Sequence, residues 1–151
     1  MAREELKVPK QENEVTLWVH PEGRVVGTIF LSYRYESMRP LEPVEVLNQE
    51  SHFLVLRGAS DADIRFYSKA AIVRVDYAEP VPESAPEPLA CRLHLMDGAL
   101  VEGAIHRDLP PDQARLYDYL NLEQERFVKL HVGPAAVCLV NKSYIVRADP
   151  A

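Results

Sequence analysis

The residues of this chain best equipped for chemistry are five histidines, two cysteines and a few close carboxylates, and their spacing works against any joint use. Metal sites built from histidine and cysteine rest on short, repeated ligand spacings. His20, His52, His94, His106 and His131 are scattered, and neither Cys91 nor Cys138 completes a ligand pattern with them. No metal and no cofactor is expected. Nucleophilic catalysis needs a nucleophile, a base and an oxyanion site, and phosphate binding needs a glycine-rich loop; neither signature occurs. Asp61 and Asp63 fall in a polar turn, where solvation accounts for them. The expectation is a protein without catalytic residues, and not an enzyme.

Residues suited to binding are easier to find. Trp18 is the only tryptophan, and alternation puts it on the face opposite Leu17 and Val19. Its ring either meets a partner, as interface tryptophans do, or covers a contact inside the chain. Tyr117 and Tyr119 stand two apart in a segment with helical spacing and so diverge by about 200°, which turns one inward and leaves the other for binding. Lys69 and Lys142, with Tyr67 and Asn141 beside them, are candidate RNA contacts; the plainer account is that lysines in a tight strand turn are solvated. Arg74 with Asp76, and Arg147 with Asp149, read as cross-strand pairs on an outer face.

The elements that carry these residues are written twice. Ser68 to Asp76 returns 73 positions later as Asn141 to Asp149, with five of nine residues identical, and Leu47-Asn48 returns as Leu120-Asn121 at the same offset. Self-similarity at a fixed spacing decides architecture before local patterns do. Between the copies, Tyr77 to Ala90 holds Pro80, Pro82, Pro86 and Pro88. Prolines at this density lack backbone donors and favour an extended, semi-rigid spacer. The expected organisation is a flexible tail over 1–14, a first unit over 15–76, a linker over 77–90 and a second unit over 91–151.

Within each unit the signal is alternation. Val15, Leu17 and Val19 face one way and Thr16, Trp18 and His20 the other; Cys91, Leu93 and Leu95 repeat the inward set against Arg92, His94 and Met96. Glu22-Gly23 and Asp97-Gly98 mark hairpin turns into second strands at 25–31 and 100–106. Phe53–Leu56 with Ile64–Tyr67, and Phe127–Leu130 with Val137–Val140, supply the third and fourth strands; Ile72–Val75 and Ile145–Ala148 the fifth. A short helical insert separates strands two and three: Leu41, Val44 and Leu47 in the first unit, and a segment opened by Pro110-Pro111-Asp112 that contains Leu116 and Leu120 in the second. Five short strands with tight turns make a small barrel or sandwich, and each insert is expected to plug an open end of its barrel.

Charge narrows the partners. The net charge is −6, with 10 basic against 12 acidic residues over 1–76 and 7 against 8 over 91–151. Nucleic-acid binders draw much of their affinity from neutralised phosphates, so RNA is disfavoured and DNA is not expected. No apolar run reaches the roughly 20 residues of a membrane span, and Ala2 to Lys7 has no hydrophobic stretch of a secretion signal, so the expected location is the cytoplasm with no membrane contact. Cys91 and Cys138 both lie in the second unit and read as ordinary strand residues rather than a disulfide framework.

Leu95-Met96-Asp97-Gly98-Ala99-Leu100-Val101-Glu102-Gly103-Ala104-Ile105 resembles the first signature of the Sm-like family: a hydrophobic residue, Asp or Asn with Gly, a hydrophobic residue, then Gly with another two further on. Val19, Gly23, Val25 and Gly27 follow a shortened version, and Lys69-Ala70-Ala71-Ile72 and Lys142-Ser143-Tyr144-Ile145 are similar to the family's second signature. The resemblance implies a mainly β fold of two tandem five-stranded Sm-like, SH3-like barrels, each with a short helical insert. It also implies exposed last-strand edges at Ile72–Val75 and Ile145–Ala148, the kind that close rings of barrels. The family's RNA-contacting histidine is replaced by Ala70 or Ser143, and Asp108 lies one place short of its loop acid. The expected function is therefore a non-catalytic interaction or scaffold module that binds a protein partner or itself through Trp18, Tyr117, Tyr119, Ile72 and Ile145. The alternatives are RNA binding through Tyr67, Lys69, Asn141 and Lys142, and a small ligand held between the barrels.

Overall fold

The computed structural model describes residues 10–33, 39–107 and 115–151. Alternating apolar residues build ten strands: β1 (Lys10–Val19), β2 (Gly23–Ser32), β3 (Phe53–Arg57), β4 (Ile64–Ser68), β5 (Ile72–Ala78), β6 (Leu89–Leu95), β7 (Leu100–Ile105), β8 (Phe127–Gly133), β9 (Ala136–Asn141) and β10 (Ile145–Pro150). Among the described residues two one-turn helices interrupt them, α1 (Pro43–Leu47) and α2 (Leu116–Leu120). Single 3₁₀ turns at Lys69–Ala71 and Lys142–Tyr144 lead into β5 and β10.

All ten strands form one antiparallel sheet in the order β10-β6-β7-β8-β9-β5-β1-β2-β3-β4. Both halves pair in the same internal order, fifth-first-second-third-fourth. They join where β5 of the N-terminal half pairs with β9 of the C-terminal half, from Arg74↔Val140 to Ala78↔Ala136. The expected pair of closed barrels is thus not what the hydrogen bonds draw: the sheet is continuous and unclosed, ending at β4 and β10.

The hairpin turns sit where glycine was expected to allow them. Gly23 and Gly98 have φ of +94° and +88°, the left-handed geometry of the two hairpin turns. A Cβ on Gly27 would lie 2.7 Å from the Arg57 carbonyl oxygen, and one on Gly103 would lie 2.6 Å from that of His131. At these points β2 meets β3, and β7 meets β8, through one register pair each, Thr28↔Arg57 and Ala104↔His131. The sheet therefore folds over on each side and encloses an apolar interior.

That interior has two clusters. The first gathers Val15, Leu17, Ile29, Leu47, Leu56, Ile72 and Val75 from the N-terminal half, together with Phe127, Val137 and Leu139 from the C-terminal half. The second gathers Cys91, Leu93, Val101, Leu116, Tyr119, Leu130 and Val140, with Val73 from β5. Each half thus lends residues to the other across the junction.

Several expected boundaries move. Residues 10–14, expected as part of a tail, belong to β1, paired from Lys10↔Ser32 onward, with Glu12 bonded to Arg57 from both carboxylate oxygens; residues 1–9 lie outside the described residues. The expected linker is shorter than 77–90, because Tyr77 and Ala78 complete β5 and Leu89 and Ala90 begin β6. Its first residues run beside the β8–β9 turn, with the Glu79 and Val81 amides donating to the Ala135 and Pro134 carbonyls at 3.0 and 3.2 Å. Pro110, Pro111 and Asp112, expected to open the second helix, and Asp108 lie outside the described residues. Among the described residues no helix is long and apolar enough to cross a membrane.

Candidate functional site

The junction explains most of the residues singled out from the sequence. Trp18 is half-buried on β1 and packs against the second cluster. Its indole Nε1 donates to Asp76 Oδ2 at 2.9 Å, and the Arg74 guanidinium carbon lies 4.4 Å above its ring. Trp18 is therefore a contact within the chain. The same arrangement recurs around His94, which occupies the equivalent ladder position: its Nε2 lies 2.9 Å from Asp149 Oδ2 and 3.1 Å from Arg147. The expected Arg–Asp cross-strand pairs are thus different in kind. Arg147 and Asp149 pair along β10 itself, and in both halves the aspartate's cross-strand partner is a ring, indole or imidazole. The neighbouring His94 and Arg147 hold the Asp149 carboxyl below its usual range.

The RNA candidates are turned inward. Lys69 is only 1% exposed, and its amine donates to the Val46 carbonyl at 2.9 Å, the Gln49 carbonyl at 3.1 Å and Ser51 Oγ at 3.0 Å. Lys142 donates to the Leu122 carbonyl at 2.8 Å. Burial lowers both ammonium pKa values, with Arg126 adding to the effect at Lys69 and Arg107 at Lys142, where Glu125 opposes it. The expectation that these are solvated turn lysines is overturned: each ties its 3₁₀ turn to the segment that precedes its half's third strand. Asn141 is fully buried and donates across the junction to the Lys69 and Ile72 carbonyls at 3.2 and 2.9 Å. Tyr67 is buried, with its hydroxyl donating to Glu22 at 3.2 Å.

A second polar bridge crosses the junction from α1. The Asn48 carboxamide accepts from the Phe127 amide at 2.8 Å and donates to the Phe127 carbonyl at 3.3 Å. Neither Asn48 nor Asn141 stood out as a junction residue in the sequence; for Asn48, Leu-Asn repeated at a fixed offset was the available signal.

Of the five expected partner contacts, two remain available. Tyr119 is buried, with its hydroxyl donating to the Arg107 carbonyl, while Tyr117 is 70% exposed, so one of the pair faces inward as the helical geometry required. Ile72 is buried under β9 and its strand has neighbours on both sides, so the expected free edge at Ile72–Val75 is occupied. Ile145 is half-buried on β10, which pairs with β6 on one side. Among the described residues nothing pairs with the other side of β10 or with the outer side of β4.

These two edges differ sharply from the junction in what they leave uncovered. Phe127, Val137 and Leu139 are 1%, 1% and 0% exposed, buried against the first cluster. Phe53, Ile64 and Phe66 hold the same ladder positions in β3 and β4, and they are 58%, 42% and 68% exposed. Val55 beside them is exposed as well.

A cleft of about 720 Å³ also opens between the halves, lined in part by Glu42, Asn48, His106, Arg107, Lys129 and His131. Both of its basic side chains are paired, Arg107 with Glu125 and Lys129 with Glu79 just outside the lining. His131 is buried with its Nε2 3.8 Å from Glu79 and its ring edge-on to His106. Burial, with Lys129 and His106 nearby, lowers the His131 pKa against the opposing pull of Glu79. Cys91 and Cys138 are buried free thiols, with burial pushing Cys91 up to about 11 and Cys138 further, which leaves both unreactive. Among the described residues no three His, Cys, Asp or Glu side chains converge as a metal site would need.

No protein-family model, curated protein or solved structure matches this chain.

Proposed function

We propose that the chain is a non-catalytic cytoplasmic interaction module, two Sm-like barrels in tandem, that engages a partner through the outer edges of β4 and β10. The repeated strand order and the glycine-centred bends support the barrel reading. One observation carries the function: Phe53, Ile64 and Phe66 stay uncovered along an unpaired strand edge, whereas residues at the same positions in the other half are buried by a neighbouring strand. An unpaired edge with apolar side chains is a template for another chain, and contiguous apolar surface marks an interaction site. Lys69 and Asn141, the centre of the RNA alternative, spend their polar groups on backbone carbonyls of this same chain.

Affinity capture from the native cell, with Phe66→Lys run beside the native sequence, tests the assignment. The expected result is a protein recovered by the native chain and lost by the variant. Copurifying RNA, with affinity for U-rich sequences falling steeply as salt rises, would replace this reading with nucleic-acid binding.

A further inference from the structure

We infer that the cleft between the two halves binds a neutral polyhydroxyl compound, a sugar or an alditol, through a hydroxyl seated between His131 and Glu79. The site is separate from the strand edges and holds whether or not those edges take a partner.

His131 is the residue that points to a ligand. It lines the cleft, its side chain is 6% exposed, and its Nε2 has no hydrogen-bond partner among the described residues. A buried nitrogen in that state is costly, and a group that bonds to it is stabilised accordingly. The ring is braced edge-on by His106, whose own Nδ1 donates to the Pro86 carbonyl at 3.2 Å. Facing Nε2 at 3.8 Å is Glu79 Oε2, the same oxygen that pairs with Lys129. That gap is too long for a hydrogen bond, yet one oxygen atom fits within about 2.8 Å of both sides. A second buried group without a hydrogen-bond partner lies in the same row: Tyr77 and His131 both pair with Val137, which sets their side chains on one face. Burial, with Glu79 and Glu42 nearby, raises the Tyr77 pKa, so its hydroxyl keeps its hydrogen beside these carboxylates.

Hydrogen-bond complementarity selects the class of ligand. Burial keeps the His131 ring neutral at pH 7.5, and the Glu79 carboxylate favours the tautomer with its hydrogen on Nε2. A group in the gap must then accept from His131 and donate to Glu79. An ammonium cannot accept and a carboxylate cannot donate, whereas a hydroxyl does both. Anions gain nothing further, because Arg107 and Lys129 already hold carboxylates. These ion pairs set donors and acceptors side by side, which suits a row of hydroxyls, and Val44 and Pro86 offer apolar wall to the C–H faces between them. At about 720 Å³ the cleft has the size of a small-molecule site.

Titration of the full chain at pH 7.5 with glucose and, in parallel, with sorbitol, followed by amide NMR, tests this. Saturable shifts at Glu79, His106 and His131 are expected with at least one of them; glucose alone marks a site for a sugar ring, sorbitol alone one for an open chain. Glu79→Gln and His131→Phe are each expected to weaken binding about ten- to a hundredfold, the effect of losing one hydrogen bond to a charged or buried partner. Native amide dispersion checks that the variants fold, and if His131→Phe does not, the partly exposed Glu79 decides alone. Absence of saturable shifts with both compounds means that the gap holds water only and overturns the inference. So does saturation by acetate or butylammonium where neither polyol binds, or native affinity in a folded Glu79→Gln variant.

Discussion

Lys69 and Lys142 occupy the same place in the two halves, yet their surroundings predict unequal costs of removal. Lys69→Met strips the donor from two carbonyls and a hydroxyl, and a buried acceptor left unsatisfied costs about 1–3 kcal/mol. Lys142→Met strips one carbonyl, so urea unfolding should show the larger loss of midpoint for Lys69. Gly103→Ala would drive a Cβ to 2.6 Å from the His131 carbonyl oxygen, and overpacking of this kind costs about 1–3 kcal/mol in the same measurement. His131 sets a pH dependence. Its folded pKa lies below the usual 6.5, so the unfolded chain binds the proton more readily and stability falls as pH drops through the histidine range. His131→Gln should flatten the difference in urea midpoint between about pH 7.5 and 5.5. The glycines were legible because a hairpin turn and a sharp bend leave their mark in adjacent residues. The lysines were not, since the acceptors that bury Lys69 come from residues 46–51, and a turn lysine with distant acceptors looks like any solvated one.

The strands themselves were readable from period-two alternation, because each has one face against the interior; Val15, Leu17 and Val19 are buried as that pattern requires. Alternation failed at the start of β1, where Gln11 to Glu14 are polar and the strand is held instead by its ladder to β2 and by the Glu12–Arg57 pair, partners 45 residues apart in sequence. It also could not show which edges meet. Asn48 and Asn121 each follow a leucine at the end of a five-residue helical turn, but only Asn48 has a strand start within reach. Asn48→Ala leaves the Phe127 amide and carbonyl without partners at the junction and should destabilise by about 1–3 kcal/mol, read as a lowered urea midpoint. Asn121→Ala should change the midpoint far less, since its one side-chain bond is exposed.

For the molecule as a whole, a repeated sequence suggested two self-sufficient units, and the pairing of β5 with β9 makes them interdependent instead. Phe127, Val137 and Leu139 belong to the N-terminal cluster, and Val73 to the C-terminal one. A fragment of residues 1–78 would expose the face those three cover, so it should unfold at markedly lower denaturant than the full chain and give poorly dispersed amide resonances. The full chain should unfold in one cooperative step by both fluorescence of Trp18, which sits at the junction, and far-ultraviolet circular dichroism. This shared interior also constrains biosynthesis. Chains made from the N-terminus forward can fold domain by domain as they emerge, but here the first-made half waits for Leu139, so its interior closes only after that residue, far along the second half, has left the ribosome.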